Sequence, residues 1–228
     1  MRICIDAGHN YSGYDTGAQG NGLKEQNVTF EIADKLKKIL ADNGIEVVMT
    51  RDRHTANVGI NANDSINQRA KIANNNKCDY FVSIHCNSHT NKNAKGTETL
   101  VYGLGGQAEK LADKVNKSIV SKLGTTDRGV KVRTDLGVLR FTDMPAILVE
   151  TAFISNENDA KLLKNNTQDF AKAIFEGLLD FSGINKMTVD DAVNLIKTKA
   201  GLSDKTMKYL LDYEYGKDLV MKLAMSMK

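Results

Sequence analysis

The strongest constraint on the fold of this chain is the alternation of apolar runs with helical patterns from residue 2 to residue 179. Alternating or wholly apolar runs predict strands at residues 2–6, 45–49, 80–84, 97–102 and 146–149. Apolar side chains at helical spacing predict helices at residues 27–40, 65–74, 107–123, 158–163 and 168–179. This order is typical of an α/β domain with a mainly parallel, mixed sheet flanked by helices, in which 146–149 is a central buried strand.

The strand pattern ends at Ser182-Gly183, and the remainder of the chain predicts a small, all-helical C-terminal module. Thr188 and Asp191 have the spacing of a capping box at the start of a helix. Helical spacing then continues through three short segments. We therefore divide the chain into a domain at residues 1–182 and a helical module at residues 188–228.

Composition restricts the function classes that the chain can have. With 41% hydrophobic and 26% charged residues, it has the balance of an ordinary globular protein. A formal net charge of only +3, without a basic stripe, argues against nucleic-acid binding. The three cysteines form no C-x-x-C motif, which argues against a disulfide scaffold and against a thiolate metal site. No apolar stretch approaches the length of a transmembrane helix.

Two of the four histidines stand at the ends of predicted strands. His9 follows the first strand, directly after Gly8, and His85 ends the third strand. Because ligand sites in open α/β sheets lie beyond the carboxyl ends of the strands, these two imidazoles are candidates to converge. For each of them alone, a polar residue at a strand boundary is the alternative. His54 and His89 have the surroundings of exposed loop residues.

Two glutamates have the placement that would complete a catalytic site. Glu25 lies just before a predicted helix, and with two histidines it would form the donor set of a catalytic zinc site. A favourable interaction with the helix dipole is the alternative for Glu25. Glu150 ends the apolar central strand, where burial raises the pKa of a carboxyl group and suits it to act as a general base. A structural ion pair is the alternative for Glu150.

Four ordered blocks resemble the zinc-dependent N-acetylmuramoyl-L-alanine amidases of the type called Amidase_3. They are Ile-Asp-Ala-Gly-His9, Lys24-Glu25, Val-Ser-Ile-His85-Cys-Asn87 and Met-Pro-Ala-Ile-Leu-Val-Glu150. The resemblance covers roughly residues 1–179, and shorter blocks support it around Arg51, Arg69, Arg128 and Phe153. Cys86 is a departure, because the family more often has alanine there, and its expected role is that of a small buried residue.

The resemblance implies the chemistry of the site. It implies one catalytic Zn²⁺ held by His9, Glu25 and His85, with Glu150 as the general base toward a zinc-bound water. The implied reaction is hydrolysis of the amide bond between N-acetylmuramic acid and L-alanine in peptidoglycan. Asn87, in the third block, is the expected contact with this substrate.

The resemblance also implies where such an enzyme acts. The chain opens on a strand pattern and shows no apolar segment of the kind found in signal peptides. We therefore expect synthesis in the cytoplasm and action on the cell wall after holin-type release or cell lysis. A phage or prophage endolysin fits this expectation, and a sporulation autolysin is the second choice.

The module at residues 188–228 is expected to bind peptidoglycan or other cell-wall polymers. Homodimerisation is the alternative, because so short a helical bundle has little core of its own. Two other functions stay open for the whole chain. A zinc peptidase that cuts within the stem peptide would use the same metal chemistry, and a non-catalytic wall-binding protein would carry a decayed site. The presence of all four proposed site residues argues against decay.

Overall fold

The computed structural model describes residues 1–183 and 188–227. The strands are β1 (Arg2–Ala7), β2 (Gln19–Gly20), β3 (Leu23–Lys24), β4 (Glu46–Met49), β5 (Tyr80–Asn87), β6 (Thr97–Val101), β7 (Asp127–Val132) and β8 (Ala146–Phe153). The helices are α1 (Glu25–Asp42), α2 (Ala62–Asn75), α3 (Gln107–Leu123), α4 (Gly137–Arg140), α5 (Glu157–Asn165), α6 (Thr167–Ser182), α7 (Val189–Ala200), α8 (Asp204–Leu211) and α9 (Gly216–Ser226).

Six strands form one sheet in the order β4-β1-β5-β8-β6-β7. Strands β4, β1, β5 and β8 are parallel to one another, whereas β6 is antiparallel to β8 and parallel to β7. The expected mainly parallel, mixed α/β sheet is therefore confirmed. The apolar run that predicted a central strand is the first half of β8, which lies between β5 and β6.

Helices cover both faces of the sheet. On one face, Ile84 and other buried apolar residues pack against α1, α3 and α6. On the other face, Leu148 belongs to a second cluster that packs against α2 and α4. Because side chains alternate along a strand, His85 and Glu150 lie on this second face, while Cys86 is buried in the first cluster. The expectation that Cys86 is a small buried residue that points away from His85 is confirmed.

Four short elements have no counterpart among the sequence predictions. The edge strand β7 reads Asp-Arg-Gly-Val-Lys-Val, and its two valines do not make an apolar run. Helix α4 has four residues, which is too short to show a helical period. Strands β2 and β3 have two residues each and form a separate hairpin.

The C-terminal helices α7, α8 and α9 share an apolar cluster of their own, formed by Ala192, Ile196, Met207, Val220 and Ala224. The predicted capping box is present, since Thr188 and Asp191 each accept a hydrogen bond from the other's backbone N–H. The proposed junction between residues 182 and 188 lies mostly outside the described residues. Within the described ranges, no helix combines the length and apolarity that crossing a bilayer requires.

Candidate metal centre

Three sequence-predicted ligands meet at the carboxyl ends of β1 and β5, which are adjacent and parallel. His9 follows β1, His85 lies near the end of β5, and Glu25 is the first residue of α1. One ring nitrogen from each histidine and one carboxylate oxygen all lie within 4.8 Å of one another. The structure thus brings the three side chains together as a candidate metal site, and metal binding by them stays a prediction.

Glu25 stands between the two histidines. Its Oε1 lies 3.1 Å from His9 Nε2 and 3.1 Å from His85 Nδ1. The backbone fixes the same carboxylate, because Ala18 N donates to Oε2 at 2.7 Å and Cys86 N donates to Oε1 at 3.0 Å. Burial alone would raise the pKa of Glu25, yet the hydrogen bonds from His85 and His9 hold that pKa well below its usual range. Glu25 is therefore ionised and held in place, as a carboxylate ligand of a metal ion needs to be.

His9 is oriented by a carboxylate on its other side. Its Nδ1 lies 2.7 Å from Asp15 Oδ1, and its backbone has a left-handed φ of 67°. Burial alone would lower the pKa of His9, but the hydrogen bonds to Asp15 and Glu25 raise it to about 9. A carboxylate on one ring nitrogen fixes the tautomer and the direction in which the other nitrogen points. Asp15 thus directs Nε2 of His9 toward the centre.

Arg69 connects this arrangement to the sheet. The side chain is buried, and its Nη1 donates to Asp6 Oδ1 at 2.8 Å while Nη2 lies 3.6 Å from Asp15 Oδ2. Ser65 lies between them, since its hydroxyl accepts from Arg69 Nε at 3.1 Å and donates to Asp15 Oδ2 at 3.2 Å. Buried charges are tolerated where they are paired and hydrogen-bonded. The network holds Asp15, and through it His9, against α2.

Two glycines leave the space that the donors need. A Cβ atom at Gly17 would lie 2.5 Å from His9 Cδ2 and 2.6 Å from Glu25 Oε2. A Cβ atom at Gly8 would lie 2.5 Å from His85 Nε2. Two imidazoles and one carboxylate are also the donor set of catalytic zinc sites. The residues of the site therefore fit a metal ion in both space and chemistry.

Glu150 lies beside this centre in the middle of the sheet, in register with His85 of β5 and with Glu98 of β6. The residue is half-buried, and its Oε2 is buried without a hydrogen-bond partner among the described residues. Burial raises the pKa of Glu150 to about 8, and the negative charges of Glu25 and Glu98 act in the same direction. A carboxyl group with a pKa near neutrality and a free oxygen is suited to accept and return a proton.

The fold and the centre can be compared with known proteins. The family described as Amidase_3, N-acetylmuramoyl-L-alanine amidase, matches residues 3–180. The chain belongs to this family. The crystal structure of N-acetylmuramoyl-L-alanine amidase from Clostridium difficile 630 superposes with a TM-score of 0.71 at 31% identity, covering 81% of this chain and 97% of that one.

Two relatives of this chain are longer than it is. The endolysin of Bacillus phage SPP1 is 38% identical over 194 residues, which cover 81% of this chain and 67% of the endolysin. A protein of Bacillus anthracis described as an uncharacterized cell wall amidase is 38% identical over 190 residues. That match covers 78% of this chain and 35% of the relative, so the chain spans about a third of that protein.

A second carboxylate near the centre, that of Glu98, is neutralised by cations, whereas that of Glu150 is not. Its Oε2 accepts from Arg128 Nε at 2.6 Å and from Lys131 Nζ at 2.5 Å. Its Oε1 accepts from Asn87 Nδ2 at 2.9 Å. Burial alone would raise the pKa of Glu98, but the hydrogen bonds from Lys131 and Arg128 lower it. Asn87 therefore has one amide hydrogen engaged, and its expected contact with substrate stays a prediction.

Sequence reasoning did not single out Asp15 or Glu98. Asp15 lies six residues after His9 in the glycine-rich loop, and a carboxylate so near a candidate ligand is a signal that could have been used. Glu98 becomes visible only once β6 is known to pair with β8. The other two histidines, His54 and His89, are exposed and lie outside the centre, as expected.

Proposed function

We propose that this chain hydrolyses the amide bond between N-acetylmuramic acid and L-alanine of the peptidoglycan stem peptide, with a zinc ion held by His9, Glu25 and His85. Membership of the amidase family supports the bond and the cell-wall substrate. The observation that carries the proposal is the convergence of three metal donors within 4.8 Å, beside the unpartnered oxygen of Glu150.

Zinc is the metal that the donor set favours. Two imidazole nitrogens and one carboxylate oxygen suit this ion, and a site with three protein ligands keeps a position open for water. When bound, zinc polarises the scissile carbonyl group and makes water a stronger nucleophile at neutral pH. Asp15 accepts the hydrogen bond from Nδ1 of His9, which leaves the lone pair of Nε2 free to bind the metal.

Glu150 is the general base of the proposed mechanism. Its carboxylate takes a proton from the attacking water and then gives that proton to the nitrogen of the departing L-alanine. Transfer in both directions is efficient when the pKa of the group is close to the working pH. The raised pKa of Glu150 supports this role, as does the absence of a competing hydrogen bond to Oε2 among the described residues.

Asn87 is proposed as a contact with the substrate. The residue is half-buried at the end of β5, two positions after His85. One hydrogen of its amide group is donated to Glu98, and the other is available to a carbonyl oxygen of the substrate. Glu98 would then act by holding Asn87 in place.

We further propose that the helical module at residues 188–228 binds the cell wall. Tyr209, Tyr213 and Tyr215 expose 79%, 65% and 65% of their surface. The buried cluster of the module is formed by other residues, so these rings are not needed to complete it. Exposed tyrosines offer a flat apolar face with a polar edge, which suits the surface of a sugar polymer.

The site of action follows from the substrate. Peptidoglycan lies outside the cytoplasmic membrane, and the similarity to the endolysin of Bacillus phage SPP1 supports a lytic protein that is made in the cytoplasm. We propose that the chain reaches the wall after holin-type release or cell lysis.

Digestion of purified peptidoglycan followed by mass spectrometry tests the proposed reaction. The wild-type protein should release stem peptides with a free L-alanine amino terminus, and Glu150→Gln should release them at least about 100-fold more slowly. The matched control is Glu176→Gln, because Glu176 is an exposed glutamate of α6 that pairs with Lys122. Fragments cut within the stem peptide would identify a peptidase instead. Binding to the wall without any cleavage would identify a non-catalytic protein.

A further inference from the structure

A cavity of about 180 Å³ opens beside the metal centre, between α2 and α4. Its polar side is lined by the metal-centre residues His9 and His85 and by the paired groups Asp15 and Arg69. The opposite walls are apolar and are formed by Ile66, Leu136, Val138 and Leu148, together with Gly137. Leu148 precedes Glu150 by two residues in β8, so both side chains lie on the same face of the sheet. The cavity therefore opens where the groups next to a bound scissile amide would lie.

We propose that this cavity binds the side chain of the first stem-peptide residue, whose amino group is released on hydrolysis. The inference rests on the proposed amidase function and deepens it by assigning the peptide side of the site. An apolar side chain gains free energy when these walls remove it from water. A sugar ring does not suit the cavity, because its hydroxyl groups would lose their hydrogen bonds to water against apolar walls.

We assign the acyl side of the substrate, which carries the sugar, to a separate hollow. A polar hollow of about 600 Å³ lies beyond the carboxyl end of β8, between the β2–β3 turn and the start of α5. Its walls carry only polar side chains, which are those of Asn21, Lys92, Asn93, Ser155, Asn156, Glu157 and Asn158. Amide and ammonium groups suit the hydroxyl and acetamido groups of an amino sugar. On this assignment, the small apolar cavity takes the peptide side of the scissile bond and the larger polar hollow takes the sugar side.

The volume of the cavity predicts which first residues the site accepts. It is about six times the volume that one water molecule occupies in the liquid, whereas the methyl group of alanine fills roughly one such volume. The cavity therefore selects the first residue by polarity and leaves room for a larger apolar side chain. Leu136 is the wall residue best suited to a test, because it is only partly buried and precedes α4.

Hydrolysis of N-acetylmuramoyl tripeptides that differ only in the first residue tests the proposal. The wild-type protein should cut the L-valine substrate with a kcat/KM within about threefold of that for L-alanine. The glycine substrate should be about tenfold worse than L-alanine, because it lacks the methyl group. The L-aspartate substrate should be at least about 100-fold worse, because its charge would lie against apolar walls and near the carboxylate of Asp15, whose cation Arg69 is already paired.

A variant that fills the cavity separates this proposal from others. Leu136→Phe should lower the valine-to-alanine ratio of kcat/KM about tenfold or more. Leu123→Phe is the matched control, since Leu123 is also partly buried but ends α3, away from the cavity, and its ratio should equal that of wild type. Because each ratio is measured within one protein, a loss of folded enzyme cancels.

The possible results separate a failure of the cavity assignment from a failure of the amidase proposal. Cleavage of the alanine substrate with no preference among first residues, or an unchanged ratio in Leu136→Phe, overturns the cavity assignment and leaves the amidase proposal intact. Failure of the wild-type protein to cut the alanine substrate, while it binds peptidoglycan, overturns the amidase proposal and the cavity assignment with it.

Discussion

Glu150 and Glu98 lie directly opposite each other on β8 and β6, yet only Glu98 is neutralised by cations. The pKa of Glu98 is lowered by Lys131 and Arg128, whereas burial raises the pKa of Glu150 to about 8. Adjacent carboxyl groups whose environments separate their pKa values are typical of sites in which one group transfers protons and the other stays charged. The pairing therefore assigns proton transfer to Glu150.

The raised pKa of Glu150 predicts how the stability of the metal-free protein depends on pH. The group is protonated in the folded state at pH values where it is ionised in the unfolded chain, whose reference pKa is 4.5. Its contribution to the free energy of unfolding is therefore fully present below about pH 4.5 and is lost as the pH rises through about 8. We predict that Glu150→Gln removes this loss, so that at about pH 9 it exceeds wild type by roughly 1–3 kcal/mol.

Urea unfolding of chelator-treated protein at about pH 5 and about pH 9 measures this difference. Glu157→Gln serves as the control. Because Glu157 is exposed, its replacement should change the free energy of unfolding by the same amount at both pH values. A difference between Glu150→Gln and wild type that is the same at both pH values would contradict the protonated state of Glu150 in the folded protein.

Two glycines of one loop separate backbone strain from the space that the metal needs. Gly17 and Gly13 both have left-handed φ angles, of 72° and 83°, so alanine strains each by a comparable amount, roughly 1 kcal/mol. Only at Gly17 would the added Cβ atom meet His9 and Glu25, because at Gly13 nothing lies within 4 Å. We predict that Gly17→Ala lowers zinc affinity by about 100-fold or more while Gly13→Ala changes it little, as measured by chelator competition. Equal losses would show that strain alone is responsible.

The orientation of His9 by Asp15 predicts a graded loss of metal affinity. Asp15→Ala should weaken zinc binding roughly 10- to 100-fold, which is the usual effect of removing a carboxylate behind a ligating histidine. Asp15→Asn should retain part of the affinity, because its amide oxygen still accepts the hydrogen bond from Nδ1. The control is Asp52→Ala, since Asp52 is exposed and its ion pair is with the exposed Arg53. Unchanged affinity in Asp15→Ala would refute the orienting role.

The buried ion pair of Arg69 and Asp6 predicts a large effect on stability. Arg69→Leu leaves the Asp6 carboxylate buried without its cation and should lower the free energy of unfolding by about 3–5 kcal/mol. The double variant Asp6→Asn/Arg69→Leu should recover part of that loss, because the uncompensated charge is gone. Arg53→Leu is the control, with an expected change within about 0.5 kcal/mol, since Arg53 is exposed. Chemical denaturation of these three variants and of Asp6→Asn completes the cycle, and additive losses of the two single variants in the double variant would contradict the pairing.

Much of the fold could be predicted because its long elements have strong local signals. The amphipathic pattern from Gln107 to Leu123 gave both ends of α3, and Gly124 ends it with a left-handed φ of 66°. Strand β7 could not be found in this way, because it is a charged edge strand that is defined by its pairing with β6. The antiparallel direction of β6 has no local signal either, since it depends on which strands the chain places side by side.

The candidate site also contains residues with a local sequence signal and residues that only tertiary contacts reveal. His9, Glu25, His85 and Glu150 could be proposed because each stands at an end of a predicted strand or helix, and the family resemblance supported them together. The residues that orient and neutralise them depend on tertiary contacts instead. Glu98 lies opposite Glu150 on the neighbouring strand, and Arg69 contacts Asp6 across 63 positions of sequence, so neither relationship can be read from spacing alone.

Zinc content and turnover, measured together on three variants, test the central claim most directly. His85→Ala should lose both the metal and the activity, because it removes a donor from the centre. Glu150→Gln should keep about one zinc ion per chain and lose activity by roughly 100-fold or more, because it removes only the proton transfer. His89→Ala, an exposed histidine outside the centre, should keep both. Loss of zinc from Glu150→Gln as complete as that from His85→Ala would contradict the division between metal ligands and general base.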